Sequence, residues 1–246
     1  MQQLSFGFNR FYEVIRPKGG IVLATEVDRL CQFEFQEKYM IELAKMLMCC
    51  DRFASLPFED KFSLYKNVRP IFQTLERHWS SVIYFGPSYD DWRLLHDDKT
   101  AIDFASLNLK FKNVDQEMFK KTVPLWIPIR DKNIKFLMSP MKTLQLTEYE
   151  IVFLLAHILW TVQDINGLSE NAVRVSEETT EQIASELHNY YAYSMRISNY
   201  APRLVKITRL IDAAKEIRHA KQDVWTIAKI FDMFRFEIVG SELTEL

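Results

Sequence analysis

Residues 53 to 66 read FASLPFEDKFSLYK, and the interpretation of this stretch decides the fold of the chain. Phe58 and Phe62 lie one helical turn apart, so periodicity alone predicts a short surface helix. Asp60 and Lys61 stand between its apolar clusters. The two residues are either a solvated pair of charges or part of a surface used in molecular recognition. The spacing within the stretch is compatible with both.

Composition limits the class of protein. The 246 residues suit one large domain with a substantial core. Only six glycines occur, which favours long helices with few tight turns. The net charge of −2 does not suggest that the chain as a whole binds nucleic acid. The first residues lack the pattern of a secretory signal, and the longest apolar run, residues 151–160, is about half of what a membrane span needs. We therefore expect a soluble protein.

The cysteines and histidines predict no metal centre. Cys31, Cys49 and Cys50 form no CxxC pair, and we expect them to be reduced, buried thiols of an intracellular protein. The five histidines are widely separated, and none has a partner at metal-ligand spacing. His157 lies in a strongly apolar run and is interpreted as a hydrogen-bonded core residue.

Motifs of catalysis and nucleotide binding are missing from the sequence. The glycines make neither GxGxxG nor a phosphate loop, and no GxSxG elbow occurs. No constellation for nucleophilic or acid–base chemistry is recognisable. We therefore expect a protein that is not an enzyme and that needs no cofactor.

Helical periodicity dominates the first third of the chain. A long amphipathic helix is predicted over residues 25–53, with Thr25 and Asp28 as its capping box. A second helix is predicted over residues 57–82, and Pro70 should kink it or split it in two.

The middle of the chain, from residue 82, lacks the regular helical periodicity of the first third. Two short strands are predicted around Asp97, within residues 82–105. Residues 113–121 read as a weak helix. Residues 124–137 stay ambiguous, because two prolines and a polar turn interrupt the apolar residues.

Three strong helices are predicted towards the carboxyl terminus. Thr147 and Glu150 form a capping box before a run that is apolar around nearly its whole circumference, so this helix should be central. The second helix is predicted to start near Ser176 and the third to span residues 203–234. The third carries a heptad-like seam suited to packing against another helix. The seam consists of Leu204, Ile207, Ile211 and Ala214.

The order of several motifs resembles the nuclear receptor ligand-binding domain. The family's signature combines an aromatic residue, an aliphatic residue, an acid–base pair and two large apolar residues. The matching positions here are Phe53, Leu56, Asp60, Lys61, Leu64 and Tyr65. LQLTEYEIVFLLAHILW, from residue 144, resembles the family's eighth helix, and APRLVKITRL, from residue 201, resembles its tenth. LERHWSSVIYFGPSYDDWRLL and NYYAYSMRISNYAPRL are similar to the nematode-expanded branch of the family.

The resemblance implies an all-α fold, a three-layer antiparallel helical sandwich with a small β-hairpin. Residues 1–24 would be an amino-terminal extension and residues 25–246 the ligand-binding domain, with no zinc-finger DNA-binding domain and no direct DNA binding by this chain. The implied function is that of a ligand-regulated transcription factor domain in the nucleus, which binds a small lipophilic ligand and coregulator helices. The alternative is a ligand-independent scaffold for dimerisation and coregulator binding, with a collapsed pocket.

The resemblance also implies a coregulator groove in which charged residues cap the two ends of a bound helix. Lys66 matches one basic position of this groove. Met48 occupies the other, so Lys45, one turn earlier, is the candidate substitute. Glu245 is preferred to Glu237 as the acidic residue, because a loop is needed before the last helix can fold back.

Further positions are implied for a ligand, for a structural ion pair and for a dimer. The ligand would be a fatty acid or a sterol-like molecule, and plain core packing is the alternative role of each candidate wall residue. These residues are Leu43, Leu47, Leu75, Trp79 and Trp225, with Arg77 or His78 as a polar anchor. Glu150 is expected to pair with Arg203. The seam at Leu204, Ile207 and Ile211 is expected to form a homodimer, or a heterodimer with another nuclear receptor.

Overall fold

The chain is mostly helical. The structure, a computed structural model, describes residues 1–27, 29–106, 110–112 and 116–231. The helices are α1 (Gln2–Ile15), α2 (Arg29–Leu47), α3 (Asp51–Ala54), α4 (Phe58–Phe85), α5 (Gln116–Lys132), α6 (Ser139–Leu144), α7 (Glu148–Trp160), α8 (Glu170–Asn189) and α9 (Ala201–Ile230). Two π-helical segments, Asn133–Met138 and Tyr190–Ser194, follow α5 and α8. Within this described part of the chain, no helix is both long enough and apolar enough to cross a membrane.

A small sheet accompanies the helices. Its strands are β1 (Val22–Leu23), β3 (Arg93–Leu95) and β4 (Thr100–Asp103), in the order β1–β4–β3. A separate parallel pair joins β2 (Glu26–Val27) to β5 (Lys110–Phe111). β3 and β4 form an antiparallel hairpin. At its turn, Asp97 Oδ1 accepts hydrogen bonds from the backbone amides of Lys99 at 2.7 Å and Thr100 at 2.6 Å. The hairpin predicted around Asp97 is therefore present.

The described chain divides into two compact units, each assembled from several segments. Unit one comprises Met1–Arg16, Lys38–Glu76 and Leu146–Ile211. Unit two comprises Pro17–Glu37, Arg77–Gln145 and the part of the chain that begins at Asp212. The hairpin and α5 belong to unit two, and α1, α7 and α8 belong to unit one.

α7 forms the centre of unit one. Its residues from Ile151 to Ala156 are all buried, as its apolar circumference predicts. Thr147 accepts a hydrogen bond from the Glu150 amide while the Glu150 carboxylate accepts one from the Thr147 amide, which completes the capping box. Local sequence alone thus determines where this helix begins.

α1 fills a second part of the same core with aromatic side chains. Phe8 meets Phe72 edge-on at 6.4 Å between ring centroids, and Phe11 meets Tyr39 edge-on at 5.1 Å. Gly7 faces the end of α2, where an added Cβ would lie 2.8 Å from the carbonyl oxygen of Met46. Only glycine permits this approach, because the contact is to backbone that cannot turn aside. α1 is therefore an integral part of unit one.

Several predicted boundaries differ from the structure. The helix predicted from Thr25 begins at Arg29, after residues that form β2, and Asp28 lies outside the described residues. The helix expected to start near Ser176 begins at Glu170 instead, with Ser169 as its N-cap. Acidic residues are only statistically more frequent in the first turn of a helix. Ser169, in contrast, accepts the capping hydrogen bond that defines the amino-terminal end of α8.

Three prolines lie in the interior of helices in the described part of the chain. α4 continues as one helix through Pro70, so the chain is not split there. The ambiguous residues 124–137 are helical, with Pro124 and Pro128 inside α5. Packing within the fold thus overrides the low helical propensity of proline at these positions.

Candidate ligand and coregulator sites

A buried ion pair connects α7 to α9 within unit one. Arg203 donates two hydrogen bonds to the Glu150 carboxylate, at 2.6 Å from Nε to Oε1 and 2.8 Å from Nη2 to Oε2. The Glu150 side chain is fully buried, whereas Arg203 keeps 23% of its side-chain surface exposed. Oε1 also accepts from the Tyr191 hydroxyl at 2.7 Å, and Oε2 from the Thr147 amide at 2.8 Å. Both carboxylate oxygens are therefore bonded, as a buried carboxylate requires.

These bonds keep Glu150 charged. Burial alone would raise its pKa, but the hydrogen bonds from Arg203, Thr147 and Tyr191 outweigh burial and hold the pKa of Glu150 below its ordinary value. Burial and the bond to Glu150 raise the pKa of Tyr191. The result is a closed network: Arg203 balances the charge of Glu150, and both carboxylate oxygens of Glu150 accept hydrogen bonds.

Asp60 and Lys61, the acid–base pair within residues 53–66, fix helix junctions. The Asp60 carboxylate accepts hydrogen bonds from Ser169, at 2.9 Å from the amide and 2.6 Å from the hydroxyl. Ser169 in turn caps α8 by accepting a bond from the Ala172 amide at 3.2 Å. Lys61 Nζ donates to the carbonyl oxygen of Ala54 at 3.1 Å. The pair therefore ties α4 to α3 and to α8, and neither residue has a catalytic arrangement.

Tyr65 explains why an aromatic residue stands where the resembled signature has an aliphatic one. Its hydroxyl donates to the carbonyl oxygen of Met40 at 2.9 Å, which ties α4 to α2 within unit one. Burial raises the pKa of Tyr65 to about 12. The phenol therefore stays protonated and serves as a donor across the physiological pH range.

The two lysines proposed for the coregulator groove are exposed on unit one. Lys66, next to Tyr65, lies 5.6 Å from the centroid of the Phe62 ring. Lys45 on α2 is 67% exposed and forms an ion pair with Glu42 at 2.7 Å. Large apolar side chains of the same unit are also exposed. Among them are Ile41 at 47%, Met48 at 47% and Phe58 at 69%.

The acidic half of the predicted groove lies beyond the part of the chain described. Glu245, like the alternative Glu237, falls outside the described residues. Its assignment stays a prediction of the sequence.

The residues predicted to line a ligand pocket are withdrawn from solvent. Leu43, Leu47 and Leu75 are fully buried in unit one. The other candidates belong to unit two. There Arg77, His78 and Trp79 are at most 6% exposed, and Trp225 is half-buried.

The polar candidates of unit two, Arg77 and His78, each lie beside an aromatic ring. The Arg77 guanidinium lies 5.2 Å from the centroid of Phe35. His78 meets Phe104 edge-on at 6.4 Å. The face of the Phe35 ring attracts positive charge, so it stabilises the Arg77 guanidinium.

Sequence reasoning missed three polar residues of unit two: His96, Trp126 and Lys221. His96 lies at the hairpin, Trp126 on α5 and Lys221 on α9. His96 interacts electrostatically with both Arg77 and Lys221. No periodicity in the sequence connects these residues, since they come from distant segments. The one local signal was Lys221, four residues before Trp225, which places both on the same side of α9.

The predicted dimer seam is largely covered by its own chain. Ile207, Ile211 and Ala214 are buried, and Leu204 is half-buried. In this conformation the three buried residues are not available to a partner. Packing within a chain and a surface seam both produce heptad spacing, so the role of these residues in a dimer stays a prediction.

The fold is the one found in the ligand-binding domains of nuclear receptors. The Ultraspiracle ligand-binding domain from Drosophila melanogaster superposes with a TM-score of 0.63 at 16% sequence identity, covering 95% of this chain and 90% of that one. The predicted fold class is confirmed.

The sequence comparisons then give the family. A family model for the ligand-binding domain of nuclear hormone receptor matches residues 25–231, and the chain belongs to this family. The Caenorhabditis elegans proteins nuclear hormone receptor family member nhr-213 and member nhr-54 are each 26% identical to it, over 86% and 89% of this chain. The chain spans about half the length of these relatives, 51% and 53% respectively. The resemblance to a nematode branch is confirmed.

Proposed function

We propose that this chain is the regulatory domain of a nuclear transcription factor, which binds a small lipophilic ligand and the helices of coregulator proteins. The ligand would bind either the open or the closed conformation of the coregulator groove more tightly than the other. Ligand binding would therefore shift the equilibrium between the two conformations. Members of the family are generally ligand-regulated transcription factors and not enzymes. By the same family argument, the protein acts in the nucleus.

One observation carries the coregulator part of this proposal. The signature residues Asp60, Lys61 and Tyr65 are all engaged in bonds that fix α4 to its neighbours, whereas Lys66, directly beside them, is exposed. A rigid helix that presents one cation next to exposed apolar side chains suits the carboxyl end of an amphipathic partner helix. The last carbonyl groups of such a helix have no internal partners and carry partial negative charge.

Lys66→Ala tests this role. We expect it to weaken binding of a synthetic amphipathic helix by about fivefold, because an exposed charge contact is worth on the order of 1 kcal/mol. Fluorescence anisotropy of the labelled peptide measures the affinity, and circular dichroism checks the fold. Lys120→Ala is the matched control, since Lys120 is exposed on α5. Unchanged peptide affinity in a folded Lys66 variant would overturn the groove assignment.

A second function is favoured by the packing of the predicted pocket. Leu43, Leu47 and Leu75 have no exposed surface, which is also what a collapsed pocket would give. The chain would then act as a ligand-independent scaffold for coregulators. Native mass spectrometry of the purified chain separates the two, since a ligand-binding domain retains or takes up a lipid-sized molecule and a collapsed scaffold does not.

Dimerisation with itself or with another nuclear receptor belongs to the same proposal. Because the buried seam residues are unavailable, a contact through α9 would use its exposed side, where Val205 is 49% exposed beside Lys206 and Arg209. Analytical ultracentrifugation across a wide range of concentrations tests self-association. A single monomeric species at the highest concentration would remove the homodimer.

A further inference from the structure

α3 is a helix of only four residues, Asp51–Ala54, between the end of α2 and the start of α4. So short a helix is unstable by itself, because the ordering of its first turn costs more free energy than its few hydrogen bonds return. Within the described chain, the preceding Cys50 forms no capping bond with its side chain. Contacts from other elements of unit one must therefore hold α3 in place.

The amino-terminal end of α3 is capped by Gln3, a residue of α1. The side-chain oxygen of Gln3 accepts a hydrogen bond from the Asp51 amide at 3.2 Å, and its side-chain nitrogen donates to the Asp51 carboxylate at 2.5 Å. The first amides of a helix have no partner within the helix, so Gln3 supplies the acceptor that a local cap usually provides. Two bonds to one residue restrain the orientation of α3 as well as its position.

Two further contacts hold the rest of α3. Arg52 donates to the hydroxyl oxygen of Thr179 on α8 at 2.9 Å, and Lys61 on α4 donates to the carbonyl oxygen of Ala54 at 3.1 Å. α1, α4 and α8 thus each contribute a contact within unit one. The contact from α1 is not assigned by the family comparison, because Gln3 lies outside the matched residues 25–231.

α1 is a firm support for the Gln3 side chain. Leu4, next to Gln3, is buried, and Phe8, one turn further along, has no exposed surface. Gly7 allows the backbone of α1 to approach the carbonyl oxygen of Met46 at the end of α2. Because α1 is anchored in the core on both sides of this approach, the position of Gln3 relative to α2 is fixed.

The orientation of α3 determines how two exposed apolar side chains are presented. Met48 follows the end of α2, Phe58 begins α4, and α3 joins these two helices. A rotation of α3 would therefore change the distance and angle between Met48 and Phe58. We propose that Gln3 is a positioning residue for the coregulator groove, an inference that rests on the coregulator binding proposed above. It acts through α3 and does not itself contact the partner helix.

Gln3→Ala removes both bonds to Asp51 and tests this role. We expect the synthetic amphipathic helix to bind about threefold to fivefold more weakly, the change that corresponds to the net contribution of roughly one hydrogen bond. Fluorescence anisotropy of the labelled peptide measures the affinity, and urea denaturation verifies that the variant is folded under the conditions of the assay. Gln2→Ala, at the neighbouring exposed position of α1, is the matched control and should bind like the unaltered chain.

An exchange of donor and acceptor separates positioning from a general loss of stability. Gln3→Glu places two carboxylates opposite each other and should also weaken binding. The addition of Asp51→Asn restores a donor opposite an acceptor, so the double variant should recover the affinity to within about twofold, since residues in contact are not additive. Hydrogen exchange of the α3 amides gives a readout without peptide, and it should be faster in both single variants and slower again in the double variant.

Each outcome decides a different question. Unchanged affinity in a folded Gln3→Ala variant would overturn the positioning role, while a loss of affinity in Lys66→Ala would still support the groove. A loss that Asp51→Asn does not repair would overturn the contact with Asp51 as its cause. If the unaltered chain binds no peptide, the groove is rejected and the role of Gln3 is rejected with it. Should Gln3→Ala fail to fold, the comparison of Gln3→Glu with the double variant decides the question.

Discussion

Two buried groups of charges in this chain are built in opposite ways. Around Glu150 in unit one, one acid meets a complete set of donors from three helical segments. Around His96 in unit two, the positive charges of Arg77 and Lys221 act on the imidazole, and Asp97, which opposes them, accepts hydrogen bonds within the hairpin turn. The first arrangement satisfies itself, whereas His96 Nε2 in the second is buried without a hydrogen-bond partner among the described residues. A closed network stabilises the fold, and an unsatisfied buried polar group costs stability.

The largest expected effect comes from opening the closed network. Arg203→Ala leaves the fully buried Glu150 without its cation, and we expect the free energy of unfolding to fall by about 3 kcal/mol, the lower end for a broken buried pair because Arg203 is partly exposed. Urea denaturation followed by circular dichroism measures it. Arg174→Ala is the control, since its ion pair with Glu178 at 2.7 Å is exposed and should contribute about 0.5 kcal/mol. Equal effects of the two substitutions would show that the buried Glu150–Arg203 pair contributes no more to stability than an exposed ion pair.

The next effect concerns a smaller closed arrangement. Asp60→Ala removes both bonds to Ser169 at the start of α8, and we expect a loss of about 2 kcal/mol, since hydrogen bonds to a charged group contribute roughly 1.5–3 kcal/mol. The same denaturation experiment applies. Glu59→Ala, at the neighbouring exposed position, should change stability little. Should both variants unfold at the same urea concentration, Asp60 would be no more than a surface charge.

A pH series sharpens the comparison further. Hydrogen bonds hold the folded-state pKa of Glu150 below its ordinary value of 4.5, so its contribution is fully present above that value. As the pH falls below 4.5 towards the depressed folded-state pKa, the contribution is lost, because the unfolded chain takes up the proton first. We expect the stability difference between the unaltered chain and Glu150→Gln to shrink in this range. A difference that stays constant down to pH 3 would contradict the assignment.

The smallest effect should have the opposite sign. Lys221→Met removes a poorly compensated charge, and we expect the ligand-free chain to gain about 0.5–1 kcal/mol. Burial lowers the folded-state pKa of Lys221, so the unaltered chain gains stability as the pH rises from that pKa towards the ordinary value of 10.5. The advantage of the variant should therefore diminish at high pH. A loss of stability comparable to that of Arg203→Ala would mean that Lys221 is paired after all.

The sequence predicted these two regions unequally. The capping box at Thr147 and Glu150 involves residues three apart, and the apolar run after it identifies a buried helix, so local pattern was enough. His96 and Lys221 come from distant segments, and no local pattern records that their charges interact. The pairing of Glu150 with Arg203 was inferred only through resemblance to the family.

The helix boundaries that were wrong have a related cause. α8 begins at Glu170 because Ser169 caps it, and Ser169 is held there by bonds to Asp60, more than a hundred positions earlier in the chain. Near Ser176 the acidic residues favour a helix start, but the hydroxyl of Ser176 instead donates to the Ala172 carbonyl oxygen inside the helix. Propensity therefore located the helix, and a long-range contact determined where it began.

The first helix has a consequence for how the protein is handled. The family model begins at residue 25, so a fragment trimmed to the matched range would lack α1 altogether. Phe72 and Tyr39 would lose the rings of Phe8 and Phe11, and an aromatic surface now covered would face water. Exposed hydrophobic patches of this kind promote aggregation. The shortened protein would be expected to precipitate on expression, a failure of solubility easily mistaken for a failure to bind.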